Sequence, residues 1–598
     1  MKSLQYLYKY FIKYKWLLLL GTFFVFASNY FYIKMPLFLK DVIDSIINGE
    51  NFIHVLGFNI PIDTSKASKV ALYIGLVYMI LVLLKSIFLF FMRQTIIKVS
   101  RYIEFDLKNE IYAHYQELGY NFYKENSTGD LMNRVSEDVS YVRTFLGPGI
   151  MYNINLVAIF TMIVYQMLNI NVWLTFIVLI PLPIMSFLIY KVSEKMNQMS
   201  LVVQKEQSGL STIVQETFTG IGVIKAYERE NEVNDRFVDA SKTYKKKQMN
   251  LVLINALFQP TILLLIGIST ILSIYVGGLF SFTGDISYGG ITAFVFFVGS
   301  LTWPFASLGW LTSVIQRAAA SQERINEFLK TKPEITNPTT QPFLYNGKIE
   351  FKNVTFTYKG MAEPAIKNLS FTIHPHETVA FVGRTASGKS TILKLLLRQI
   401  EPQSGEILID NQPLNSINLE QFREQVGIVP QEVFLFSDTI ANNIRFGANH
   451  EVSNEEIIKA TELAHIRHNI EAFENGYETL LGERGMNLSG GQKQRISIAR
   501  AFIRHPKLLV LDDCLSAVDT ETEEIILRHL ANDTHTLNTI IVSHRIFSLR
   551  NAQKIIVLKN GEKAEEGSHE ELMKIDGIYC DMYNKQLVES DNSADTIA

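Results

Sequence analysis

The stretch GRTASGKST, residues 383–391, follows an apolar run and precedes a segment with apolar residues at helical spacing. It matches the pattern G-x-x-x-x-G-K-[ST] completely, with Gly383, Gly388, Lys389 and Ser390 at the defining positions. Between a strand and a helix, such a loop binds phosphate oxygens through backbone N–H groups, while the lysine adds positive charge and the serine hydroxyl can ligate Mg²⁺. The sequence therefore predicts a nucleotide-phosphate site.

A second stretch, LLVLDDCLSAVD at residues 508–519, ends an apolar run in two aspartates. Asp512, at the carboxyl end of the predicted strand, is positioned to bind Mg²⁺, in most such sites through water. Asp513 is placed to act as a base, although an aspartate is one methylene shorter than a glutamate. Together the two stretches predict a P-loop nucleotide hydrolase.

A third stretch, NLSGGQKQR at residues 487–495, lies between the first two and places a serine and two glycines before a helix, which suits an anion. With this motif the chain resembles an ABC transporter, in roughly residues 10–585, with the family's motifs in complete order. The resemblance implies ATP as the nucleotide and Mg²⁺ as its metal. It also implies that this signature contacts ATP held by a partner's P-loop.

The resemblance assigns roles to further residues. Tyr358 corresponds to the aromatic residue that stacks on adenine, Gln431 to the Q-loop glutamine and His544 to the switch histidine. The predicted nucleotide-binding residues are Tyr358, Gly383, Arg384, Thr385, Ala386, Ser387, Gly388, Lys389, Ser390, Thr391, Leu488, Ser489, Gly490, Gly491, Gln492 and Asp519. The predicted catalytic residues are Asp513, His544 and Gln431, and the predicted metal ligands are Ser390, Gln431 and Asp512.

The N-terminal half resembles the exporter class of the family. It carries an FY…G…R…D pattern around residues 122–138 and a Q-x-A-x-A-S-x-E-R-I pattern that begins at Gln316. The GERG run at residues 482–485 resembles an exporter-specific loop that touches intracellular helices, which points to Glu483. Because one chain carries one membrane half and one nucleotide domain, the resemblance implies a half-transporter that pairs with a second half to enclose two ATP molecules.

The second aspartate departs from the family pattern, in which most active members have glutamate. Because misplacing a reacting group by about 1 Å can cost on the order of 10²-fold in rate, Asp513 predicts normal ATP binding and slow hydrolysis. The resemblance then favours a heterodimer with a partner chain that has Asp-Glu at the positions of Asp512 and Asp513. The intact Leu488–Gln492 signature of this chain would complete the competent ATP site on that partner's P-loop. The alternatives are a homodimer in which Asp513 is an adequate base, and an ATP-gated channel or regulator.

Composition indicates that the chain is partly embedded in a membrane. Hydrophobic residues make up 48% of its 598 residues and charged residues 19%, while the formal net charge is −3. This charge balance gives no excess of basic residues for binding nucleic acid. The predicted membrane spans also exclude a soluble ATPase that acts on nucleic acid. Cys514 and Cys580 form no metal-ligand spacing and are interpreted as free cytosolic thiols.

Six apolar segments are long enough to cross a membrane. They lie near residues 17–38, 70–92, 146–168, 172–192, 250–278 and 288–312. Lys and Arg are frequent at the N-terminus and near 93–145 and 193–249, which the positive-inside rule assigns to the cytoplasm together with both termini. The first apolar run is too long for a signal peptide and lacks a cleavage pattern, so it is predicted to be retained. These features predict a multi-pass protein of the cytoplasmic (inner or plasma) membrane.

The predicted fold is an all-α six-helix transmembrane bundle with long intracellular helices, followed by an α/β P-loop ABC ATPase domain. The tips of the two intracellular stretches are expected to contact the domain that follows. The predicted parts are a transmembrane domain at 1–325, a linker at 326–347, a nucleotide-binding domain at 348–585 and a disordered tail at 586–598.

Lys85 is the one clear cation inside an apolar segment. Because a charge at that depth costs several kcal/mol unless it reaches water, it has two interpretations, a position on the substrate path and a structural position beside a wet cavity. The predicted function is ATP-driven export of an amphipathic or hydrophobic drug, lipid or peptide. The expected partners are the second half-transporter, membrane lipids and the transported molecule.

Overall fold

The computed structural model describes residues 2–48, 52–55, 58–61, 67–482, 485, 487–531 and 536–595. The chain divides into two compact units. The first unit contains Met1–Glu117 and Ser127–Lys332, and the second contains Leu118–Asn126 and Pro333–Ala598. The sequence predicted a single boundary between the two domains, near residue 325. In the structure the short segment Leu118–Asn126 also belongs to the C-terminal unit.

The first unit consists of long helices. Its helices, together with α4 of the second unit, are α1 (Tyr8–Lys13), α2 (Lys15–Ile47), α3 (Ala67–Glu117), α4 (Tyr120–Glu125), α5 (Thr128–Asn133), α6 (Val139–Thr144), α7 (Ile150–Ile170), α8 (Val172–Leu179), α9 (Pro181–Thr219), α10 (Ile221–Ala226), α11 (Glu230–Phe282) and α12 (Tyr288–Lys330). The strands β1 (Phe52–Val55) and β2 (Phe58–Pro61) form an antiparallel hairpin. Two π-helical segments, Arg134–Asp138 and Phe145–Gly149, join α5, α6 and α7 into one continuous rod.

Six helical rods in the described residues are long and apolar enough to cross a membrane, which confirms the predicted number. The rods are Lys15–Ile47, Ser68–Glu117, Thr128–Ile170, Val172–Thr219, Glu230–Phe282 and Tyr288–Lys330. They contain 33 to 53 residues, whereas a span needs about 20. The surplus length continues the helices beyond the hydrocarbon region.

A buried ion pair joins two motifs of the first unit. Arg324, from the Q-x-A-x-A-S-x-E-R-I pattern on α12, donates two hydrogen bonds to the carboxylate of Asp138, the last residue of the FY…G…R…D pattern. The Nε–Oδ2 distance is 2.9 Å. The Asp138 side chain is 4% exposed, and the Arg324 side chain is 52% exposed. The pair therefore ties the π-helical segment before α6 to the last long helix.

Arg324→Gln is expected to lower the free energy of unfolding of the first unit by about 2 kcal/mol, because it leaves the buried Asp138 carboxylate unpaired. The cost is smaller than for a fully buried ion pair, because water reaches the exposed part of the arginine. Thermal unfolding of the full chain in detergent micelles, followed by circular dichroism, measures the change. Arg101→Gln is the matched control, because Arg101 is 60% exposed and pairs with Glu104 at 2.9 Å on the surface of α3. Equal shifts for the two variants would contradict the structural role of the Arg324 pair.

The second unit is an α/β domain with two sheets. Its strands are β3 (Ile349–Phe356), β4 (Ile366–Ile373), β5 (Thr378–Gly383), β6 (Ser404–Ile409), β7 (Gln412–Pro413), β8 (Val426–Val429), β9 (Leu508–Asp512), β10 (Asn538–Val542), β11 (Lys554–Lys559) and β12 (Glu562–Gly567). Its remaining helices are α13 (Lys389–Leu396), α14 (Leu419–Glu424), α15 (Ile440–Arg445), α16 (Asn454–Leu463), α17 (Arg467–Glu471), α18 (Gly490–Phe502), α19 (Thr520–Ala531), α20 (His569–Ile575) and α21 (Ile578–Asp595). The larger sheet has the strand order β12-β11-β5-β10-β9-β8, and the smaller one β4-β3-β6-β7.

The larger sheet is buried on both faces, as its apolar strands predict. Along β5, Val379 and Phe381 enter the core shared with the smaller sheet, while Ala380 and Val382 enter the core formed by the helices on the opposite face. Alternate residues of a strand point to opposite faces, so this single strand contributes to both cores.

The ends of the predicted linker and tail differ from the prediction. Helix α12 continues to Lys330, and Phe343 and Tyr345, inside the predicted linker 326–347, are buried in the second unit. Helix α21 continues to Asp595, across most of the tail predicted to be disordered. No proline or glycine interrupts the sequence from Ile578 to Asp595, so nothing local stops the helix.

Candidate nucleotide site

Four neighbouring parallel strands of the larger sheet end at the predicted site. Strands β5, β10, β9 and β8 are adjacent and parallel. Gly383 ends β5 and Asp512 ends β9, while His544 and Gln431 each follow the end of β10 and β8 by two residues. Because parallel strands present their carboxyl ends at one edge, the sheet brings four separate sequence motifs to one place.

The P-loop lysine is held inside the loop. Lys389 is 6% exposed, and its Nζ donates to the carbonyl oxygen of Gly383 at 2.7 Å and to that of Arg384 at 3.0 Å. Burial lowers the pKa of Lys389, while the nearby carboxylates of Asp513 and Asp512 act in the opposite direction. The loop thus holds a cation beside the backbone where phosphate oxygens are predicted to bind.

The shape of the loop requires glycine at the helix start. Gly388 has φ +103°, and a Cβ there would lie 2.7 Å from the carbonyl oxygen of Ala365. Arg384, Thr385 and Ala386 at the tip are exposed. Inside the loop, the Ser387 hydroxyl oxygen is buried and has no hydrogen-bond partner among the described residues. A buried hydroxyl without a partner is costly, so it fits an anion such as a phosphate seated in the loop.

Two of the three predicted metal ligands lie in contact. Ser390 donates from Oγ to Oδ1 of Asp512 at 3.1 Å. Burial raises the pKa of Asp512, and although the Ser390 hydrogen bond opposes this, the net direction is upward. A divalent cation offsets this cost by favouring the ionised carboxylate, and hydroxyl and carboxylate oxygens are the ligands that Mg²⁺ prefers.

Asp513 occupies a constrained position beside the site. It has φ +46°, and its backbone N–H donates to the carbonyl oxygen of Val542 at 2.8 Å. Its carboxylate accepts from the His544 backbone N–H at 3.4 Å and from Gln431 Nε2 at 3.5 Å. Both side-chain contacts are at the long limit of a hydrogen bond, so the carboxylate faces the predicted catalytic residues without close engagement.

The predicted adenine-stacking residue also lies beside the P-loop. The Tyr358 hydroxyl is 3.2 Å from Oγ1 of Thr391, the last residue of the P-loop motif. Lys124, on α4, places its Nζ 4.2 Å from the centre of the Tyr358 ring. The neighbouring Glu125 pairs with Lys359 at 3.0 Å. The segment predicted to contact the nucleotide domain therefore does so beside the predicted adenine position.

The same segment makes two further contacts within the second unit. The ring of Tyr120 lies 4.9 Å from Nζ of Lys394, on the helix that follows the P-loop. Asn121 donates from Nδ2 to Oε2 of Glu334 at 2.9 Å. The tip of the first predicted intracellular stretch is thus linked both to the P-loop helix and to the stretch that precedes β3.

The signature motif begins helix α18. Ser489 is its N-cap, with Oγ accepting from the Gln492 backbone N–H at 3.3 Å. Ser489 and Gly490 are exposed, whereas Leu488 is buried in the core. By the family resemblance, the SAVD run at residues 516–519 corresponds to the D-loop. A Cβ on Gly491 would lie 2.8 Å from the carbonyl oxygen of Ala517, so the signature packs against the D-loop. Within the described part of the chain, no hydrogen bond joins this signature to the P-loop.

The D-loop is held by a residue that motif reasoning did not single out. Arg545, which follows the predicted switch histidine, donates to the carbonyl oxygens of Val518 and Ser516 at 3.0 and 2.8 Å and to Glu523 at 3.0 Å. Asp519 accepts from the Thr522 backbone N–H at 2.8 Å, and this bond lowers its pKa. The sequence signal that could have pointed to Arg545 was its position directly after His544 in the VSHR run, residues 542–545.

The site residues thus fall into two groups. The P-loop, Asp512, Asp513, Gln431 and the His544 backbone lie together. The signature packs against the D-loop, whose Ser516 donates from Oγ to the carbonyl oxygen of Asp513 at 3.0 Å. Glu483, to which the GERG run pointed, lies outside the described residues.

Comparisons with known proteins match both halves of the chain. The family model described as ABC transporter transmembrane region matches residues 18–305, and the model described as ABC transporter matches residues 366–516. The multidrug resistance-like ATP-binding protein MdlA of Escherichia coli is 34% identical over 81% of this chain and 82% of its own length. The ATP-dependent lipid A-core flippase of Haemophilus ducreyi is 32% identical over 86% of this chain and 89% of its own length.

Among solved structures, a bacterial Atm1-family ABC exporter with ATP bound is similar in fold, with a TM-score of 0.78 and 24% identity. The match covers 95% of this chain and 99% of that one.

Proposed function

The chain belongs to the ABC transporter family as an exporter-type half-transporter that hydrolyses ATP, and from this premise we propose that it is one half of a heterodimer whose ATP site at this chain's P-loop is weak. The observation that carries the proposal is Asp513. It stands where a longer carboxylate would act on the attacking water, and its carboxylate oxygens lie 3.4 and 3.5 Å from their nearest donors in the site. A base acts when its oxygen lies within about 2.6–3.2 Å of the water oxygen whose proton it accepts, and aspartate is one methylene group shorter than glutamate, so this side chain favours slow hydrolysis.

The residues of the P-loop fit ATP with Mg²⁺. The Ser387 hydroxyl, Lys389 and the backbone N–H groups of the loop would hold the phosphates, and the Tyr358 ring would stack on adenine. Ser390 and Asp512 would hold Mg²⁺, with Gln431 near it. The metal would neutralise charge on the phosphates during transfer to water. These roles are consistent with the burial and contacts of each side chain.

Two exposed surfaces support pairing with a second half-transporter. Ser489 and Gly490 of the signature are exposed. The second intracellular tip, around α10, exposes the apolar side chains of Phe218, Val223 and Tyr227, which are 63–74% exposed. Exporters of this kind act as dimers, in which a partner would cover both surfaces.

We infer that transport proceeds by alternating access. Binding of ATP favours the closed pair of nucleotide domains, and the intracellular tips carry this closure to the membrane helices. ATP shifts the equilibrium because its affinity for the closed state is higher. Hydrolysis, mainly on the partner's P-loop, restores the inward-facing state. The cargo is an amphipathic or hydrophobic drug, lipid or peptide, as the names of the multidrug and lipid A relatives suggest.

We propose that the transporter lies in the cytoplasmic membrane with both termini in the cytoplasm. The basic residues of the N-terminus and of the stretches near 93–145 and 193–249 support this orientation.

The full chain purified without a partner is expected to bind ATP and to hydrolyse it slowly. The tagged chain purified from its native membrane should carry a second half-transporter that has Asp-Glu at the positions of Asp512 and Asp513. This pair should hydrolyse ATP at a rate that substrate increases. Mass spectrometry identifies the second chain, and phosphate release measures both rates. Cooperative ATP hydrolysis and transport by the isolated chain would instead favour the homodimer.

A further inference from the structure

Lys85 lies near the middle of the membrane region. Its backbone carbonyl oxygen accepts from the Ser28 hydroxyl at 3.3 Å, and Ser28 is close to the midpoint of the predicted span 17–38. Its side chain turns toward Tyr32 on the neighbouring helix α2, with Nζ 4.4 Å from the ring centre. The backbone of Lys85 therefore lies near the middle of the span, and its amine reaches about one helical turn toward Tyr32.

The chain supplies no carboxylate at this depth. The six predicted spans contain no aspartate or glutamate anywhere along their lengths. Among the described residues, no carboxylate lies within salt-bridge distance of the Lys85 amine. A charge in this setting is ordinarily paired or faces a water-filled cavity. The position thus provides a cation without a protein anion to neutralise it.

Two polar contacts join α2 to α12 and α7, one through Tyr32 itself and one through Asn29, three residues earlier. The Tyr32 hydroxyl lies 2.8 Å from Oγ of Ser300 on α12, which orients the ring beneath the amine. Asn29, next to Ser28 on α2, donates to Asn155 on α7 at 2.9 Å. Tyr32 packs against two clusters of apolar side chains. The Lys85 amine and these polar groups thus form a polar layer bordered by apolar side chains.

We propose that this layer, formed by Lys85, Tyr32, Ser300, Asn29 and Asn155, binds the negatively charged head group of the transported amphiphile. The inference rests on the proposed export of amphiphiles and narrows the substrate class to molecules with an apolar body and a phosphate or carboxylate. The amine attracts the anion strongly because the surrounding medium has a low dielectric constant. The hydrocarbon part of the molecule lies against the apolar side chains of the neighbouring helices.

Binding to the unmodified full chain provides the first test. The probes are 1-pyrenedodecanoic acid and its methyl ester, which differ in charge, and pyrene-labelled phosphatidic acid and phosphatidylcholine, which differ in head group. Energy transfer from the tryptophans, one of which is Trp303 near Ser300, reports binding in phosphatidylcholine nanodiscs at pH 8.5. The acid should bind about tenfold more tightly than the ester, because only the acid pairs with Lys85. Tighter binding of the acid than of its ester indicates a carboxylate head group. Tighter binding of phosphatidic acid than of phosphatidylcholine indicates a phosphate head group.

Substitutions provide the second test. Lys85→Met, which keeps the length of the side chain, should remove the preference for the charged probe, while Lys85→Arg should retain most of it. Lys34→Met is the matched control, because Lys34 also lies over a tyrosine of α2, with Nζ 5.4 Å from the ring of Tyr30, which is 45% exposed and belongs to none of the polar contacts around Tyr32. It should leave the preference unchanged.

Equal affinity of the unmodified chain for acid and ester, and for phosphatidic acid and phosphatidylcholine, would overturn the inference even if Lys85→Met failed to fold. An unchanged preference in a folded Lys85→Met chain would also overturn it. Transport is measured separately, in vesicles that contain the chain with its co-purified partner. Charge-selective binding without ATP-driven transport would leave the site in place and contradict the proposed function, whereas transport of uncharged probes without charge selectivity would contradict the site alone.

Discussion

Replacing Asp513 with glutamate is expected to raise ATP hydrolysis at this chain's own P-loop by about 10²-fold, because a misplacement of about 1 Å in a reacting group costs on that order. The Asp513 backbone is held by its 2.8 Å bond to Val542, so the side chain cannot advance by a shift of the main chain. An extra methylene group moves the carboxylate toward the predicted water position. The long contacts to His544 and Gln431 give way easily to this movement.

The measurement must separate the two ATP sites of the assembled pair. Asp513→Glu is therefore made together with Ser489→Ala, which is expected to disable the site on the partner's P-loop, and phosphate release from the remaining site is followed. Asp513→Asn in the same background keeps the size of the side chain and removes its charge, so it should eliminate the residual rate. A rate that does not rise with glutamate, or that is already high with aspartate, would contradict the weak-site proposal.

The nucleotide site was predictable because its chemistry is local in sequence. A glycine-rich turn, a lysine and a serine in nine residues define a phosphate loop wherever a strand precedes and a helix follows. The ends of β5, β8, β9 and β10 then had to meet, because parallel neighbours share an edge. The motifs around Gln431 and His544 could be assigned from the family resemblance in the same way.

Contacts between distant parts of the chain were not predictable from patterns. The attachment of Lys124 to the Tyr358 ring depends on how far α3 extends before the chain turns, which helical periodicity does not specify. The pairing of Lys85 with Tyr32 depends on the rotation of α3 against α2 in a segment that is apolar on every face. Arg545 was overlooked because its three acceptors, two in the D-loop and one on α19, lie more than twenty residues earlier. Each of these contacts depends on how two elements are oriented relative to each other, which their sequence patterns do not specify.

Ser489→Ala is expected to lower ATP hydrolysis by the assembled transporter by about 10²-fold, the cost of removing one preorganised donor from an anion site. In the proposed heterodimer the competent site consists of the partner's P-loop and this chain's signature. Ser489 and Gly490 are exposed, so a nucleotide on a facing domain can reach them. A substitution in this chain therefore acts on ATP held by the other chain, and ATP binding to this chain's own P-loop should remain.

Ser489 is also a helix cap, so loss of activity needs a control for loss of structure. Its Oγ accepts from the Gln492 backbone N–H, and removing such a cap costs about 1 kcal/mol. Ser453, which belongs to none of the predicted nucleotide-binding motifs, forms the same capping box on α16, where Oγ accepts from the Glu456 backbone N–H at 3.2 Å. Ser453→Ala should therefore lower stability by a similar amount and leave the rate of hydrolysis nearly unchanged. If both variants lost activity in parallel, the role of Ser489 would be structural, and the proposal that this signature completes the partner's site would lose its support.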